Sequence, residues 1–288
     1  MSSLRIIKRR IRSVQSTQQI TRAMEMVAAA KLVRARKDAE AARPYGETMA
    51  AMLGHLAEAA GSLDHPLFTK RDTGSQVLVV FSSDRGMCGA FNTNLVRRTQ
   101  QFVHEHPDDQ IKLIFVGRKV WDYFQRRDFD ILQLYRDIGT SAELSLAQTL
   151  TNQLLDLYMN SDVQAIHLLY SEFISTITRR PTVEKLLSIE PPAAAAAEHV
   201  GPSMDYIFEP SPERIFQDLL PRFALVRVMT ALLESFASEH SARMVAMSSA
   251  TKNAEEMIDN LVLLRNRLRQ AIITKEIAEL VGGAEALA

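Results

Sequence analysis

The sequence predicts an α/β protein: a long antiparallel coiled coil of the N- and C-terminal helices plus a central Rossmann-like α/β domain with a mostly parallel sheet. Two observations predict the coiled coil. Apolar residues recur about every 3.5 positions near both ends, and glycine is absent from residues 202–281. A third observation predicts the domain, because apolar runs alternate with helical stretches between the two ends, as in a parallel sheet covered by helices.

Composition and charge narrow the class of protein. The 288 residues are 47% hydrophobic and 24% charged, as in ordinary globular chains, and the formal net charge is zero. The charge is uneven, because residues 1–43 hold eleven Lys or Arg and three Asp or Glu, which leaves +8 there and −8 elsewhere. A basic segment of this kind indicates an acidic partner surface, with nucleic acid and anionic lipid as alternatives.

The compartment is indicated by two further features. A single cysteine, Cys88, excludes an internal disulfide and favours a reducing compartment. No apolar run reaches the roughly 18 residues that span a bilayer, and the first residues are too charged for a secretory signal. We therefore expect a cytoplasmic chain without a transmembrane segment.

Residues 1–60 predict the first coiled-coil helix, which begins at a serine cap. Its seam is polar at Gln18, Thr21 and Glu25 and is otherwise apolar, with many alanines that allow two helices to approach closely. Pro44 predicts a kink rather than an end, because helical spacing continues beyond it. The apolar seam residues are Leu4, Ile7, Ile11, Val14, Ala28, Leu32, Ala35, Ala39, Ala42, Met49, Leu53 and Leu56.

The pattern of residues 76–190 predicts an α/β domain, here called the foot domain. The expected strands cover residues 76–81, 111–116, 130–134 and 164–170, with an edge strand at 183–189, and the expected helices cover residues 90–105, 118–126 and 141–160. Residues 191–210 contain five consecutive alanines and predict a linker. Residues 211–283 predict the second coiled-coil helix, with Ser211 as its cap and Pro212 at its first position.

The seam of the second helix is the longest pattern in the chain. Its residues are Ile215, Leu219, Arg222, Val226, Met229, Leu233, Phe236, His240, Arg243, Met247, Ala250, Ala254, Met257, Leu261, Leu264, Leu268 and Ala271. His240 and Arg243 interrupt it consecutively. Either Arg243 extends outward past small neighbours, or the stripe faces another protein there and offers it a guanidinium.

The connectivity of the chain sets the pairing of the two helices. One helix enters the domain and the other leaves it, so they pair antiparallel, and the longer second helix should extend beyond the first by ten residues or more, about 15 Å. The same count makes residues 272–288 the exposed tip and places Met24 level with Met247.

The domain offers three weak candidates for chemistry. The Gly86–Gly89 turn between a strand and a helix is similar to a phosphate-binding turn, but it lacks G-x-G-x-x-G and G-K-[ST]. Cys88 has no marked histidine partner for nucleophilic catalysis. The His104–Asp109 segment could bind a metal but has the pattern of a solvated helix end. We expect no catalytic, cofactor-binding or metal-binding residue and assign the chemistry to a partner.

Five motifs resemble the gamma subunit of F-type ATP synthases. They are Ile20–Leu32, Arg43–Tyr45, Ser83–Asn92, Ser238–Met247 and Asn266–Ile277. The match runs from end to end, and the terminal motifs are highly specific. The resemblance implies that the coiled coil is a central shaft turning inside a ring of three alpha and three beta subunits. It also implies that the foot, with the epsilon subunit, sits on the membrane rotor ring, the c-ring.

The resemblance implies a non-catalytic subunit that couples proton or sodium flow to ATP synthesis or hydrolysis at the alpha/beta sites. It implies a peripheral location at the cytoplasmic face of the bacterial inner membrane and neither a cofactor nor a nucleic-acid partner. By motif, it assigns contact and coupling to the beta subunits to Met24, Arg243, Gln270 and Thr274. The basic first helix would face an acidic beta-subunit loop, which agrees with its charge.

Three departures from the family pattern are visible. Pro221 bears on the straightness of the second helix, Met87 replaces the commoner leucine, and no cysteine-bearing insertion of the chloroplast kind is present, so thiol regulation is not expected. Two other classes remain as alternatives, a coiled-coil adaptor and a nucleotide-binding α/β enzyme. We expect Arg243→Ala to impair coupling more than folding.

Overall fold

The computed structural model describes residues 2–60, 67, 71–139, 143–189 and 212–285. The predicted linker at residues 191–210 and the predicted cap Ser211 lie outside them. The chain forms two compact units: unit 1 is Met1–Ala28 with Met244–Ala288, and unit 2 is Ala29–Arg243. This division cuts through both terminal helices, and the domain boundaries drawn from the sequence stay a prediction.

The described elements are α1 (Ser2–Ala60), β1 (Ser75–Phe81), α2 (Phe91–Glu105), β2 (Ile111–Val116), α3 (Arg118–Phe124), β3 (Asp130–Tyr135), α4 (Leu144–Asn160), β4 (Val163–Phe173), β5 (Arg179–Leu187) and α5 (Pro212–Glu285). The sheet of unit 2 has five strands in the order β3-β2-β1-β4-β5, parallel except for the antiparallel edge strand β5. The predicted fold class is confirmed.

Strand β1 lies at the centre of the sheet and is buried along its whole length. Leu78 and Val80 pack with apolar residues of α2 and α3, such as Leu95 and Phe124. Val77 and Val79 alternate with them and are also fully buried. Residues 77–81 are buried on both faces of the sheet, which explains why this part of the strand is continuously apolar.

Helix α1 buries the seam that the sequence predicts. In unit 1 the buried seam residues include Ile7, Ile11 and Ala28, and in unit 2 they include Leu32 and Leu53. The helix continues through Pro44, as does α5 through Pro221. Each proline lacks the N–H that would donate a hydrogen bond to the carbonyl one turn earlier. The hydrogen bonds of the neighbouring turns keep the helix continuous at that position.

The seam of α5 is confirmed only in part. In unit 1, Met257 and Leu264 are 52% and 44% exposed, so their predicted place in the seam is wrong. The stripe that is buried or partly buried runs instead through Met247, Thr251, Ala254 and Ile258. A straight helix has about 3.6 residues per turn, so a strict 3.5-residue repeat drifts around it and the true stripe moves by one residue.

Thr21 and Thr251 give the register of the two helices in unit 1. Their hydroxyl oxygens lie 2.8 Å apart across the helix pair. Since the helices are antiparallel, Ser2 lies level with Gln270, and α5 continues beyond the start of α1 to Glu285. This register agrees within one residue with the expected level of Met24 and Met247.

A partly buried histidine makes the stability of unit 2 depend on pH. The His167 ring of β4 lies 5.0 Å from the Phe102 ring and 6.5 Å from the His106 ring, between centroids. Burial, assisted by the nearby charges of His106 and Lys185, lowers the pKa of His167 to about 4. The unfolded chain therefore binds a proton at a higher pH than the folded chain does. Folding should lose up to about 3 kcal/mol from this group as pH falls from 6.5 to 4.

We expect His167→Gln to reduce this acid sensitivity. Urea unfolding at pH 7 and pH 5 should show a smaller loss of unfolding free energy for the variant than for the native chain. A variant of the exposed His104 is the matched control and should behave like the native chain. Equal losses in His167→Gln and the native chain would show that His167 titrates normally in the folded state.

Candidate coupling site at the carboxyl edge of the sheet

Helix α5 crosses the carboxyl ends of the parallel strands in unit 2. Every residue from 231 to 242 is buried, so this segment is covered on all its faces rather than along one seam. The Ser235 hydroxyl donates a 3.3 Å hydrogen bond to the carbonyl of Phe81, the last residue of β1. The Ser238 hydroxyl donates one of 2.8 Å to the carbonyl of Ser171 in β4.

This crossing fills the place where a doubly wound sheet holds its ligand. The strand order reverses between β1 and β4, and ligands of open α/β sheets bind outside the carboxyl ends of the strands at such a point. Here α5 places its own side chains there. The geometry therefore argues against the alternative of a nucleotide-binding enzyme.

The turn after β1 uses its polar groups within the chain. The Ser83 hydroxyl donates to the carbonyl of Arg85 at 2.7 Å, and the Asn92 amide donates to the Cys88 sulfur at 3.1 Å. Cys88 is 2% exposed, and burial raises the pKa of its thiol. A buried thiol with a raised pKa carries little thiolate and is a poor nucleophile.

The candidate metal segment is likewise engaged in local contacts. Glu105 accepts hydrogen bonds from Arg98 and Gln101, and the Arg98 side chain holds the pKa of Glu105 below its usual value. His106 Nδ1 lies 2.9 Å from the carbonyl oxygen of Phe102. Within the described ranges, no group of three His, Cys, Asp or Glu side chains is arranged to hold a metal ion.

Arg243 ends unit 2 and turns toward the α/β fold. Its guanidinium donates to the Glu239 carboxylate at 2.6 Å and lies 3.4 Å from the carbonyl oxygens of both Arg85 and Gly86. It also lies 3.3 Å from His240 Nδ1. The side chain is 12% exposed, so the interpretation that it extends outward into solvent is wrong. The Glu239 carboxylate, one turn earlier on the same helix, holds the guanidinium inside unit 2.

Glu239 completes the Arg243 contact. Burial raises the pKa of its carboxyl group, while the charge and hydrogen bond of Arg243 act in the opposite direction. The ion pair lies on one helix, one turn apart, and is almost enclosed. Such a pair contributes little net stability, but removing one partner leaves a buried group without compensation.

The other three sequence-predicted coupling residues lie in unit 1. Met24 is half-buried in α1, whereas Gln270 and Thr274 are exposed on α5. In the register set by Thr21 and Thr251, Gln270 lies at the level where α1 begins and Thr274 lies beyond it. Gln270 and Thr274 are therefore open to a partner, while Arg243 makes its contacts inside unit 2.

One polar interruption of the α1 seam has an internal explanation. Thr21 is buried and meets Thr251, and each hydroxyl also reaches a carbonyl of its own helix, that of Gln18 or Met247. These contacts satisfy both hydroxyl groups. Thr21 therefore serves the packing of the two helices within unit 1.

The serines that join α5 to the sheet were not predicted from the sequence. Glu234 also belongs to this contact, because its carboxylate accepts the Phe173 N–H at 2.9 Å and the Arg43 guanidinium at 3.2 Å. The available signal was serine at every third position from 235 to 241 within an apolar helix. Hydroxyl groups in a buried helix require acceptors, and this pattern indicated a second packing surface beside the seam.

The fold and this site define a class of protein in which the two terminal helices pair in unit 1 and, in unit 2, one of these helices covers the carboxyl ends of a mostly parallel sheet. Residues 3–287 match a family model described as ATP synthase. The chain is 46% identical over 287 residues to the ATP synthase gamma chain of Desulforamulus reducens, with all of both chains covered. It is 44% identical to that of Pelotomaculum thermopropionicum, again over all of both chains. The chain belongs to the ATP synthase gamma chain family.

Solved structures share the fold. A chain of the Euglena gracilis mitochondrial ATP synthase rotor aligns with a TM-score of 0.66 at 18% identity, covering 94% of this chain and 99% of that chain. A chain of the Tetrahymena thermophila central stalk and c-ring aligns with a TM-score of 0.61 at 24% identity, covering 80% and 99%. Among the described residues, no helix is long and apolar enough to cross a membrane.

Proposed function

We propose that this chain is the central rotor shaft of an F-type ATP synthase. It is a non-catalytic subunit that mechanically couples ion flow through the membrane rotor to ATP synthesis or hydrolysis at the alpha/beta catalytic sites. Its partners are the alpha, beta and epsilon subunits and the c-ring. Within the ATP synthase complex, the chain lies peripherally at the cytoplasmic face of the bacterial inner membrane.

The observation that carries the proposal is the length of α5 beyond α1 in unit 1. Residues 271–285 continue as helix past the level of Ser2. Ile273, Ile277, Leu280 and Val281 are 47% to 74% exposed on this extension. Exposed apolar side chains grouped on one helix indicate a surface that another protein covers. A ring of subunits around the helix end would cover them from all sides.

The charge of α1 supports the same arrangement. In unit 1 its basic residues are exposed: Arg5, Lys8, Arg9, Arg10, Arg12 and Arg22. Glu25 is the one acidic residue of that part of the sequence, so the surface is strongly positive. An acidic loop of a beta subunit would complement it and guide assembly.

The four candidate coupling residues divide by position. Gln270 and Thr274 are exposed and would contact the beta subunits directly. Met24 would contribute the part of its side chain that α5 leaves uncovered. Arg243, which binds Glu239 and the Arg85–Gly86 carbonyls, would act on coupling by holding the turn after β1 against α5.

Assembly tests the proposal. We expect the purified chain to form a complex with the alpha and beta subunits of its own organism on size-exclusion chromatography, and the complex to hydrolyse ATP. The chain alone should not hydrolyse ATP. Hydrolysis by the purified chain would indicate an enzyme, and failure to assemble with alpha and beta would favour a coiled-coil adaptor.

We expect the double variant Gln270→Ala/Thr274→Ala to lower ion pumping per ATP hydrolysed by about half or more. The reason is that two direct contacts with the beta subunits, each contributing about 1 kcal/mol, would be lost. Its melting temperature should equal that of the native chain, since both side chains are exposed. Substitution of the exposed Lys275 on the same turn is the control. Unchanged ion pumping in the double variant would show that neither residue takes part in coupling.

A further inference from the structure

We propose that Ser235, Ser238 and Ser241, here called the serine ladder, fix α5 against rotation relative to the sheet of unit 2. Torque then passes between the α/β fold and the helix through hydrogen bonds. This inference rests on the proposed rotor function, since torque has meaning only in a rotating assembly. The contacts themselves are properties of the isolated chain.

Each hydroxyl of the serine ladder reaches a backbone carbonyl at the carboxyl end of the sheet. Ser235 donates to Phe81 of β1 at 3.3 Å, and Ser238 donates to Ser171 of β4 at 2.8 Å. Ser241 donates at 2.6 Å to Thr176, in the turn that follows β4. All three serines are at most 6% exposed.

The spacing of the ladder matches the spacing of the sheet. Three residues of α-helix rise about 4.5 Å, and neighbouring strands lie about 4.8 Å apart. A helix that runs across the strand ends can therefore present serines three residues apart to neighbouring strands. β1 and β4 are neighbours in the sheet, and they accept from serines three residues apart.

These hydroxyl groups bond outside their own helix. A serine within a helix commonly bonds the carbonyl one turn earlier, which links it to nothing beyond that helix. Here all three hydroxyls connect α5 to other elements of unit 2. The serine positions therefore do more than satisfy a buried polar group.

Hydrogen bonds suit the transmission of torque better than apolar contact does. Apolar burial is non-directional, so its free energy does not by itself fix one orientation of the helix. A hydrogen bond weakens steeply when its angle changes, so a ladder of three resists both turning and sliding of the helix.

Two charged groups form further hydrogen bonds beside the serine ladder. The Glu234 carboxylate accepts the Phe173 N–H beside Ser238, and the Arg179 guanidinium donates to the Ser241 hydroxyl at 3.2 Å. Both groups connect α5 to the β4–β5 hairpin. The hairpin and the strand ends thus hold the same segment of α5 from two directions.

The test compares the triple variant Ser235→Ala/Ser238→Ala/Ser241→Ala with two controls. Val228→Ala removes volume from a buried position of α5 without removing a hydroxyl, and Ser249→Ala removes an exposed hydroxyl of the same helix. In the isolated chains, amide hydrogen exchange in residues 171–177 should accelerate by about tenfold in the triple variant. It should be unchanged in Ser249→Ala and less affected in Val228→Ala.

In the assembled complex, the readout is the angular fluctuation of a bead attached to the α/β fold while the alpha/beta ring is held fixed. We expect its variance to rise by about twofold in the triple variant, because the three hydrogen bonds that hold α5 against the sheet are lost. Val228→Ala should lower the melting temperature without a matching rise in variance. If the triple variant does not assemble with the alpha and beta subunits, the same measurement is made on the single variant Ser238→Ala.

Unchanged fluctuation and unchanged exchange in the serine variants would overturn the proposal. So would an equal rise in Val228→Ala, because general loosening would then explain the effect. The rotor function is tested separately by assembly of the native chain. If the native chain failed to assemble while amide exchange was still accelerated in the triple variant, the serine ladder would stabilise the contact of α5 with the sheet but would have no role in torque.

Discussion

Gly117→Ala is expected to destabilise the folded chain by roughly 3–5 kcal/mol, the range for a strained backbone combined with overpacking. Gly117 joins β2 to α3 with a φ of 98°, which favours glycine. An added Cβ would lie 2.2 Å from the carbonyl oxygen of Ser82 and 2.6 Å from its carbon. Both are backbone atoms, so the sheet edge itself would have to move.

Urea unfolding of the purified variant measures this effect, and a low yield of soluble protein would accompany it. Gly86→Ala is the matched control, because its added Cβ would approach only the flexible end of Lys119, at 3.8 Å. We expect the control to change the unfolding free energy by less than about 1 kcal/mol. A Gly117→Ala chain as stable as Gly86→Ala would contradict the described connection between β2 and α3.

Arg243→Ala is expected to destabilise the chain by about 3 kcal/mol near neutral pH, because it leaves the buried Glu239 carboxyl group without its ion-pair partner. In the native chain, burial raises the pKa of Glu239 and Arg243 lowers it. Without Arg243, that pKa rises further above its usual value. A raised carboxyl pKa contributes stability below the unfolded pKa and loses it as pH rises through the folded pKa. The deficit of the variant should therefore grow from pH 5 to pH 8.

The double variant Arg243→Ala/Glu239→Gln separates stability from coupling. It removes the buried charge, so urea unfolding at pH 8 should show most of the lost stability restored. If Arg243 positions the turn after β1, ion pumping per ATP should remain low in the double variant. Full recovery of both properties would assign Arg243 a role in stability alone. This expectation revises the one drawn from the sequence, where folding was expected to be affected less than coupling.

The sequence predicts the elements of this fold closely because their signals are local. The run Val77–Phe81 is apolar on both faces, and only a central strand satisfies it. The alanine-rich seam of α1 similarly requires a close helix partner. The family assignment from five motifs is confirmed by matches over the full length of the chain.

Other features depend on tertiary contacts that no periodicity reveals. The positions of Met257 and Leu264 were wrong because a rigid repeat was extended over many turns of a helix that does not follow it. The contact of Arg243 with Glu239 required the burial of α5 on all faces. That burial arises from the β1 and β4 strand ends, which lie more than sixty residues earlier in the chain.

We expect this chain to turn within a ring of alpha and beta subunits. A bead attached to unit 2 reports this rotation when the assembled alpha/beta ring is fixed to a surface and ATP is added. The bead should rotate in one direction and stop when ATP is removed. If the bead showed only undirected fluctuation in an assembled complex that hydrolyses ATP, the chain would not be its rotor.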